Sequence, residues 1–424
     1  MNRRLICSSA AVLLLLLGAC SSEDEQASSH SFRVIEEDGI TVAETLGGPR
    51  YRGEIFDYVP VMTIEQGDTE ETMLFNPTTF IADSDGWFYV NDSGNGDIVV
   101  FDPEGRFHKR IGRRGAGPGE FQRAQFLCTV EDMLYIFDYS QWRTTRFRRS
   151  GEVVDMVSLQ RIPGAPRVTA LIPLPGADRL LLSTGDDSPS LPGGSTGEGN
   201  SWCNVLRMTA DGDTVWSWSS EPIKTSYPMP ITIGGNTFSV FMPFPYAVFA
   251  QAYYVPDFGV VAMASVTPQL EILNLDGQLH RRFRIDLGDL SVTEEDRQAV
   301  IDLMDKMIED APQDENLEVM EAQRKGMQFS EMKAPWSSLR YDDRGYMYLT
   351  PQFSSATLTD STETVGLMVL SPEGEYLGIT KPPVGRVEIR GGRMLVNHSD
   401  SETGEFTLTV YDIRPVVSGL KYPD

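Results

Sequence analysis

The stretch that decides the fold runs from Phe80 to Gly112 and reads FIADSDGWFYVNDSGNGDIVVFDPEGRFHKRIG. It divides into FIADSDG, WFYVND, SGNGDIVVFD and PEGRFHKRIG, which are four short apolar-rich strands separated by turns. The turns use Asp, Gly and Pro, the residues that a turn requires where the backbone φ angle must be positive or fixed. This stretch therefore predicts a four-stranded meander.

The same pattern recurs five further times along the chain, more loosely. The last repeat, RVEIRGGRMLVNH followed by FTLTVYDI, contains three strands and needs a fourth. The four repeats between are AQFLCTVEDMLYIFD with WRTTRFRRSGEVVDM, VTALIPLPGADRLLLST with WCNVLRMTADGDTVWSW, YAVFAQAYYVPDFGVVAMA with QLEILNLDGQLHRRFRI, and SSLRYDDRGYMYLT with GLMVLSPEGEYLGIT.

A segment near the N-terminus can supply the missing strand. Tyr58 to Ile64, YVPVMTI, alternates as a strand does and precedes the first full unit. Repeats of about forty residues indicate a propeller or a solenoid, and a ring closed by an N-terminal strand has no exposed sheet edge. The sequence therefore predicts an all-β fold, a six-bladed β-propeller whose N-terminal strand completes the last blade.

The link after the first unit carries a resemblance to a known family. Gly112 to Phe121, GRRGAGPGEF, resembles the inter-blade signature of NHL-type and TolB-like six-bladed propellers, particularly bacterial lipoproteins of that fold. SDGWFYVND and IVVFDPEGRF also resemble NHL-like blades, and the resemblance covers roughly residues 33 to 415. The later blades depart from the pattern, so the resemblance implies a fold more than an activity.

The first residues of the chain have the order of an export signal. Arg3 and Arg4 precede an apolar run from Ala10 to Leu17, and two small residues separate this run from Cys20. Leu-Gly-Ala-Cys resembles the bacterial lipobox, in which the cysteine takes a diacylglycerol, whereas the alternative is an ordinary secretory signal. We predict a lipoprotein signal peptide over residues 1–19 and lipidation at Cys20, which attaches the chain to a membrane.

The segment behind the cysteine is polar and acidic. Residues 20–31 are rich in Ser, Glu, Asp and Gln, which predicts a flexible tether, and residues 32–424 form the predicted propeller. The acidic run from Glu23 to Glu25 resembles signals that send lipoproteins to the cell surface, and a solvated linker is the alternative. We therefore predict an exported protein of the cell envelope, lipid-anchored to the outer membrane on its periplasmic side or at the cell surface.

Charge and metal-binding residue types limit the partners. The formal net charge of -25 argues against nucleic acid and anionic lipid surfaces, because both would repel the protein. The four histidines are scattered, so no zinc-type cluster is predicted. We expect no cofactor, with a divalent cation such as calcium at Asp92, Asp138 and the DSDG turn as the alternative. Cys128 and Cys203 form either a disulfide or two buried free thiols.

Loop lengths differ between the two faces of the predicted disc. Turns between strands 1 and 2 and between strands 3 and 4 of each blade lie on one face, which we call the short-turn face. Turns between strands 2 and 3, and the links between blades, lie on the other, which we call the long-loop face. The long-loop face carries the excursions Thr184 to Ser201, Gln352 to Thr364 and His398 to Glu405.

The longest link is a predicted helical insertion between the fourth and fifth blades, at about residues 289–335. Thr293 followed by Asp296 resembles a helix cap, and apolar residues then recur at helical spacing. Pro312 should end this helix, and a second helix is predicted to start within Leu317 to Arg324.

Two further groups of residues have alternative interpretations. The aromatic and Met-rich stretch from Phe238 to Phe258 could line a pocket at the channel mouth or form blade core. Three basic groups are predicted to lie on outermost strands and to pair with carboxylates at the rim, a polyanion site being the alternative. They are His108 to Arg110, Arg146 to Arg149, and His280 to Arg284.

Binding residues often lie on loops held by a rigid scaffold, so the long-loop face is the predicted functional face, and neutral drift of loop lengths is the alternative.

No GxSxG, HExxH or paired CxxC motif occurs. We therefore favour a non-catalytic binding module for a protein, peptide or glycan. The resemblance leaves a channel-mouth hydrolase, lactonase or lyase, using carboxylates and a divalent cation, as the alternative. The candidate ligand-binding residues are Asp92, Asn95, Asp138, Trp142 and Arg113.

Overall fold

The computed structural model describes residues 30–422 except 66, 68, 70, 131–132, 159–167, 175–177, 187–197, 210–212, 234–235, 248–249, 256–257, 312–314, 353–365 and 400–404. The predicted signal peptide, Cys20 and most of the predicted tether lie outside these residues. So do the central parts of the three long excursions on the long-loop face. In the part of the chain that the structure describes, no helix is long and apolar enough to cross a membrane.

Three strands come before the first full blade, and six antiparallel sheets then follow around the ring. The early strands are β1 (Ser31–Glu37), β2 (Ile40–Leu46) and β3 (Phe56–Glu65). Blade 1 contains β4 (Pro77–Ala82), β5 (Phe88–Asp92), β6 (Asp97–Phe101) and β7 (Phe107–Ile111), and β8 (Arg113–Arg114) pairs with β9 (Glu120–Phe121) in the link that follows. Blade 2 contains β10 (Ala124–Val130), β11 (Met133–Asp138), β12 (Arg143–Arg148) and β13 (Val153–Ser158).

Blades 3 and 4 are separated by a hairpin that belongs to neither. Blade 3 contains β14 (Val168–Pro173), β15 (Arg179–Asp186), β16 (Asn200–Met208) and β17 (Thr214–Ser219), with β18 (Ile223–Lys224) paired to β16. The hairpin consists of β19 (Ser226–Ile233) and β20 (Asn236–Pro243). Blade 4 contains β21 (Gln251–Val255), β22 (Gly259–Met263), β23 (Gln269–Leu273) and β24 (Leu279–Ile285).

Two helices separate blade 4 from blade 5. They are α1 (Glu294–Glu309) and α2 (Glu315–Gly326). Blade 5 contains β25 (Trp336–Tyr341), β26 (Met347–Pro351), β27 (Leu367–Leu370) and β28 (Tyr376–Thr380). Blade 6 contains β29 (Arg386–Arg390), β30 (Arg393–Ser399) and β31 (Phe406–Pro415), and β3 completes it as the fourth strand.

The predicted fold and the predicted closure are both confirmed. The six sequence repeats coincide with the six blades, and β3 pairs with β31 from Phe56 opposite Pro415 to Glu65 opposite Thr407. The helical insertion also lies where the sequence predicts it. Thr293 and Asp296 form a capping box at the start of α1, in which each side chain accepts a hydrogen bond from the backbone of the other.

The core consists of apolar layers between neighbouring blades, one at each junction around the ring. At the closing junction, Ile64 and Leu408 of blade 6 pack with Phe80 and Val90 of blade 1. The apolar-rich strands inside a blade are buried on both sides, as β5 and β6 are. Each blade is therefore held by its two neighbours, and an open junction would expose apolar surface on both sides.

The N-terminal segment runs along the outer edges of three blades. We call residues 31–65 the N-terminal belt. Strand β2 pairs in parallel with β24 at the edge of blade 4, Glu54 bridges Ile379 at the edge of blade 5, and β3 completes blade 6. The belt is also tied by charge, because Arg284 contacts Glu37 at 2.6 Å and Glu44 at 2.9 Å.

The basic groups pair with carboxylates as predicted, but one of the three strand positions was wrong and a second strand is covered. Arg146 lies on β12, the third strand of blade 2, and contacts Asp155 at 2.6 Å. His280 to Arg284 lie on β24, which is the fourth strand of its blade but is covered by β2. The sequence repeat could not show this cover, because the belt pairs outside the repeat.

The aromatic stretch from Phe238 to Phe258 divides between two structures. Its first part belongs to β20, in the hairpin outside the blades, and residues 251–255 form β21 of blade 4. Neither alternative, a pocket lining at the channel mouth or blade core, therefore describes the whole stretch.

The closing strand yields a stability prediction. Ile64 is 1% exposed in the junction between blades 6 and 1, whereas Val61 on the same strand is 44% exposed. We expect Ile64→Ala to lower the free energy of unfolding by about 2–5 kcal/mol, since it removes buried methyl groups and leaves a cavity. Val61→Ala is the control and should stay within about 0.5 kcal/mol. Urea unfolding measures both, and equal losses would contradict the role of β3 in the junction.

Candidate functional site

The long-loop face carries a compact elaboration in the links on either side of blade 4. The β19–β20 hairpin and the α1–α2 insertion come from different links, yet Val319 and Ala322 of α2 pack on Tyr227 and Met229 of the hairpin. The ends of the two links also meet, because the amide of Ala334 donates to the carbonyl of Tyr246 at 2.9 Å. The two insertions therefore form one body on this face.

A buried ion pair holds the start of α1 in place. Lys333 Nζ donates to Asp296 Oδ2 at 2.8 Å, and both residues are buried. Burial raises the pKa of Asp296, but the hydrogen bonds from Lys333 and Thr293 outweigh burial and hold this pKa below its ordinary value. The phenol of Tyr246 donates to the carbonyl of Asp296 at 3.3 Å, which ties the helix to the neighbouring link.

Asp92 and Asn95, two of the predicted site residues, lie together at the end of β5. Asp92 is fully buried and accepts hydrogen bonds from the amides of Phe75 and Asn76 at 3.1 and 2.9 Å. Its other oxygen accepts from Asn95 Nδ2 at 3.0 Å and from Arg110 Nη1 at 3.2 Å. The carboxylate thus joins the link before blade 1 to the turn between its second and third strands.

Asp138 occupies the equivalent position in blade 2. It is fully buried and accepts from the amides of Gln122 and Ser140 at 2.7 and 2.9 Å. Gln141 donates to it from both its backbone amide, at 3.2 Å, and its side chain, at 2.7 Å. As with Asp92, its lone pairs are used within the protein, which is the usual role of Asp at a turn entry.

Arg113 and Trp142 lie close to this second turn. Arg113 is exposed and pairs with Glu120 at 2.7 Å, and the Glu120 side chain also accepts from the Gly117 amide. These two contacts, led by the one from Gly117, hold the pKa of Glu120 below its ordinary value. Trp142 has a φ of 48° and packs against Tyr139 with ring centroids 5.5 Å apart. The structure therefore groups the predicted residues at the turns of blades 1 and 2.

A cavity of about 400 Å³ opens on the long-loop face at the beginnings of the innermost strands of blades 1, 2 and 6. We call it the mouth cavity. Its lining is mainly polar and includes Asn76, Thr78, Ser93, Arg123 and Arg386. A pocket of this size and polarity can take a small hydrophilic ligand. None of its lining residues was among the five predicted from the sequence.

The innermost strand of blade 6 brings charge into the ring. Side chains alternate along a strand, and Val387 and Ile389 of β29 are buried between blades 5 and 6. Arg386, Glu388 and Arg390 therefore lie on the other side of the strand, towards the channel. The pattern RVEIR is the signal that could have located them, because it places three charged residues on one side of an innermost strand.

Electrostatic effects across the ring support this placement. Burial raises the pKa of Cys128 in blade 2 to about 12, and Arg390 of blade 6 opposes that rise. Arg390 also acts on Tyr341 of blade 5, which faces blade 2 across the ring. Burial raises the pKa of Glu388 to about 7, although Arg390, Arg340 and Arg386 all favour its charged form. We call Arg340, Arg386 and Arg390 the channel arginines.

The cysteines and the acidic residues add no further site in the described part of the chain. Cys128 and Cys203 are both free thiols, so the disulfide alternative is wrong. Among the residues that the structure describes, no three or more His, Cys, Asp or Glu side chains are grouped so that they could hold a metal ion.

The turn aspartates yield the second prediction. Asp138→Ala would remove the acceptor from several buried amides, each of which costs about 1–3 kcal/mol when unsatisfied, so we expect the free energy of unfolding to fall by about 3 kcal/mol or more. Asp276→Ala is the control, because the Asp276 side chain is 81% exposed on the short-turn face. Denaturant unfolding checks both, and an Asp138→Ala protein as stable as the control would favour a ligand-binding role over a structural one.

Comparison with known proteins agrees with this architecture. Residues 53–148 match the family model DUF5128, described as a 6-bladed beta-propeller. No curated protein matches the sequence. The resemblance to NHL-type and TolB-like propellers in particular stays a prediction.

Solved structures with a similar shape have little sequence in common with the chain. A predicted exported protein from Bacteroides fragilis shares 10% identity over 85% of this chain and 98% of its own, with a TM-score of 0.48. A member of the duf4221 family from Bacteroides vulgatus shares 11% over 85% and 99%, with a TM-score of 0.44. Virginiamycin B lyase from Staphylococcus aureus shares 11% over 84% and 99%, with a TM-score of 0.38. The family model and the strand topology together identify the chain as a six-bladed β-propeller.

Proposed function

We propose that this protein is a lipoprotein of the cell envelope whose propeller is a non-catalytic binding module. In this proposal Cys20 carries the lipid, residues 20–31 are the tether, and the long-loop face contacts a protein, peptide or glycan. The export signal and the lipobox-like Leu-Gly-Ala-Cys support the anchor. The outer membrane is the proposed location, with either its periplasmic side or the cell surface open.

One observation carries the proposal for the long-loop face. The β19–β20 hairpin and the α1–α2 insertion leave the ring on the same side, the side on which the mouth cavity opens, and pack into one body. The short-turn face instead has tight turns such as Pro103 to Gly105 and Pro372 to Gly374. Loops held on a rigid ring are suited to recognition, since the scaffold fixes their positions before the ligand binds.

The turn aspartates do not support the alternative of a channel-mouth hydrolase. Such an enzyme would need carboxylates free to bind a cation or to transfer protons. Asp92 and Asp138 instead accept hydrogen bonds from backbone amides of the links before their blades. We therefore develop the binding module alone.

The anchor is tested by substitution of Cys20. We expect Cys20→Ala to abolish lipid attachment, so that the protein is released from the membrane fraction or stays unprocessed, because a chain without acyl groups has no stable hold on the bilayer. Membrane fractionation and the mass of the mature chain measure this. Ser21→Ala is the matched control and should fractionate as the natural chain does. Normal processing and membrane fractionation of Cys20→Ala would contradict the lipoprotein.

The long-loop face is tested by replacing residues 298–325 with a short Gly and Ser linker. Ser291 and Met332 bridge at the base of the insertion, so the linker has little distance to span. The variant keeps the buried pair of Asp296 and Lys333, and we expect its melting temperature to change little because α2 covers a local patch outside the blades.

The affinity for the ligand should fall in this variant. The measurement is affinity for glycans and envelope proteins that the intact propeller binds, with Arg106→Ala on the short-turn face as the control. A replacement that unfolds the domain would make the insertion a structural brace. A replacement that leaves both melting and binding unchanged would remove the main support for this face.

A further inference from the structure

The centre of the ring holds positive charge that the protein itself does not neutralise. The channel arginines provide three positive charges, and Glu388 is the carboxylate on which all three act. Many arginines outside the channel pair closely with carboxylates, as Arg110 does with Asp97 at 2.7 Å. The excess positive charge in the channel is therefore unlike the surroundings of a protein whose net charge is -25.

The hydrogen bonds that the channel arginines make within the described part of the chain go to neutral groups. Arg340 Nε donates to the carbonyl of Val387 at 3.3 Å, and its Nη1 donates to the hydroxyl of Thr350 at 3.2 Å. Arg386 Nη1 donates to the carbonyl of Thr78. Arg390 Nε is buried, and no described residue accepts a hydrogen bond from it. A buried cationic donor without an acceptor is costly, and an anionic ligand would satisfy it.

The mouth cavity supplies a way in. Arg386 lies at the start of β29 and lines this cavity, while Glu388 and Arg390 follow deeper along the same strand. Arg123 also lines this cavity, so the entrance is cationic as well. A narrow channel with one sign of charge concentrates the field and attracts ions of the opposite sign.

We propose that the channel arginines bind an oxyanion group, namely the carboxylate, sulfate or phosphate of a ligand that enters through the mouth cavity. Guanidinium groups match these oxyanions because two parallel N–H donors fit two oxygens. Threonine hydroxyls and amide groups of the mouth cavity can contact the rest of the ligand. This site goes beyond the proposed binding face, because it is built from innermost strands and does not require the helical insertion.

Glu388 makes the binding depend on pH. It faces Arg386 and Arg390 on its own strand and Arg340 and Tyr341 on β25, and Cys128 lies across the channel. Since its pKa is about 7, Glu388 is mostly neutral at pH 6 and mostly charged at pH 8. A charged Glu388 repels the oxyanion and competes for the arginines, so affinity should fall as the pH rises through this range.

The test is calorimetric titration with sodium sulfate and sodium glucuronate at pH 6 and pH 8, with chloride used to match ionic strength. Both probes keep a constant charge over this range, so any pH dependence belongs to the protein. We expect saturable binding of at least one probe, about tenfold or more weaker in Arg390→Met. Arg393→Met is the control, because Arg393 is exposed on β30 beside Asp412, and it should bind as the natural chain does.

Further variants and the comparison of the two probes distinguish the possible results of the titration. Glu388→Gln should bind several-fold tighter at pH 8 and lose most of the pH dependence. Sulfate binding alone would indicate a tetrahedral oxyanion, and glucuronate binding alone would indicate a carboxylate. The linker variant of the helical insertion should keep the affinity, so failure of the proposed binding face leaves this result intact.

Two outcomes would overturn the site. One is that neither probe binds the natural chain at pH 6. The other is that folded Arg390→Met binds as tightly as Arg393→Met. Arg340→Met, which removes a second channel arginine, gives an independent reading if Arg390→Met fails to fold.

Discussion

The structure depends on the pairing of β3 with β31, which joins the beginning of the chain to its end. Until this pair forms, blade 6 lacks its outer strand and the layer containing Ile64 and Phe80 is incomplete. Because every blade is buried between two others, the closing junction has consequences all around the ring. The N-terminal belt adds to this constraint, since the same segment that closes blade 6 also covers the edges of blades 4 and 5.

The turns of the short-turn face take part in the same packing. Gly374, in the turn between strands 3 and 4 of blade 5, has a φ of 96°, and a Cβ there would lie 2.4 Å from the ring of Phe283 in blade 4. Gly277 of blade 4 meets Trp216 of blade 3 in the same way. These glycines are needed both for the turn and for the close approach of the next blade. Each of these glycines therefore meets two requirements, whereas the turn alone would impose one.

Much of the fold could be predicted because strand alternation and turn residues are local signals. Short stretches of sequence predict all six blades, the closing strand and the cap at Thr293. The β1–β2 hairpin and the β19–β20 hairpin were missed because their partners, β24 and α2, lie far away in the chain and outside the repeat. Pairing that a repeat does not encode is visible only once the ring is assembled.

The candidate site was harder to predict because residue type does not show which lone pairs are free. Asp92 and Asp138 are of a residue type that binds cations, yet their carboxylate oxygens accept hydrogen bonds from nearby backbone amides. Arg390 is of a residue type expected at the rim, yet its strand is innermost and its Nε has no acceptor among the described residues. The informative feature was the alternation of charge along RVEIR combined with the position of β29 in the blade. An acidic ligand held against the long-loop face can extend one anionic group to these arginines, so the two proposed sites are compatible within one recognition surface.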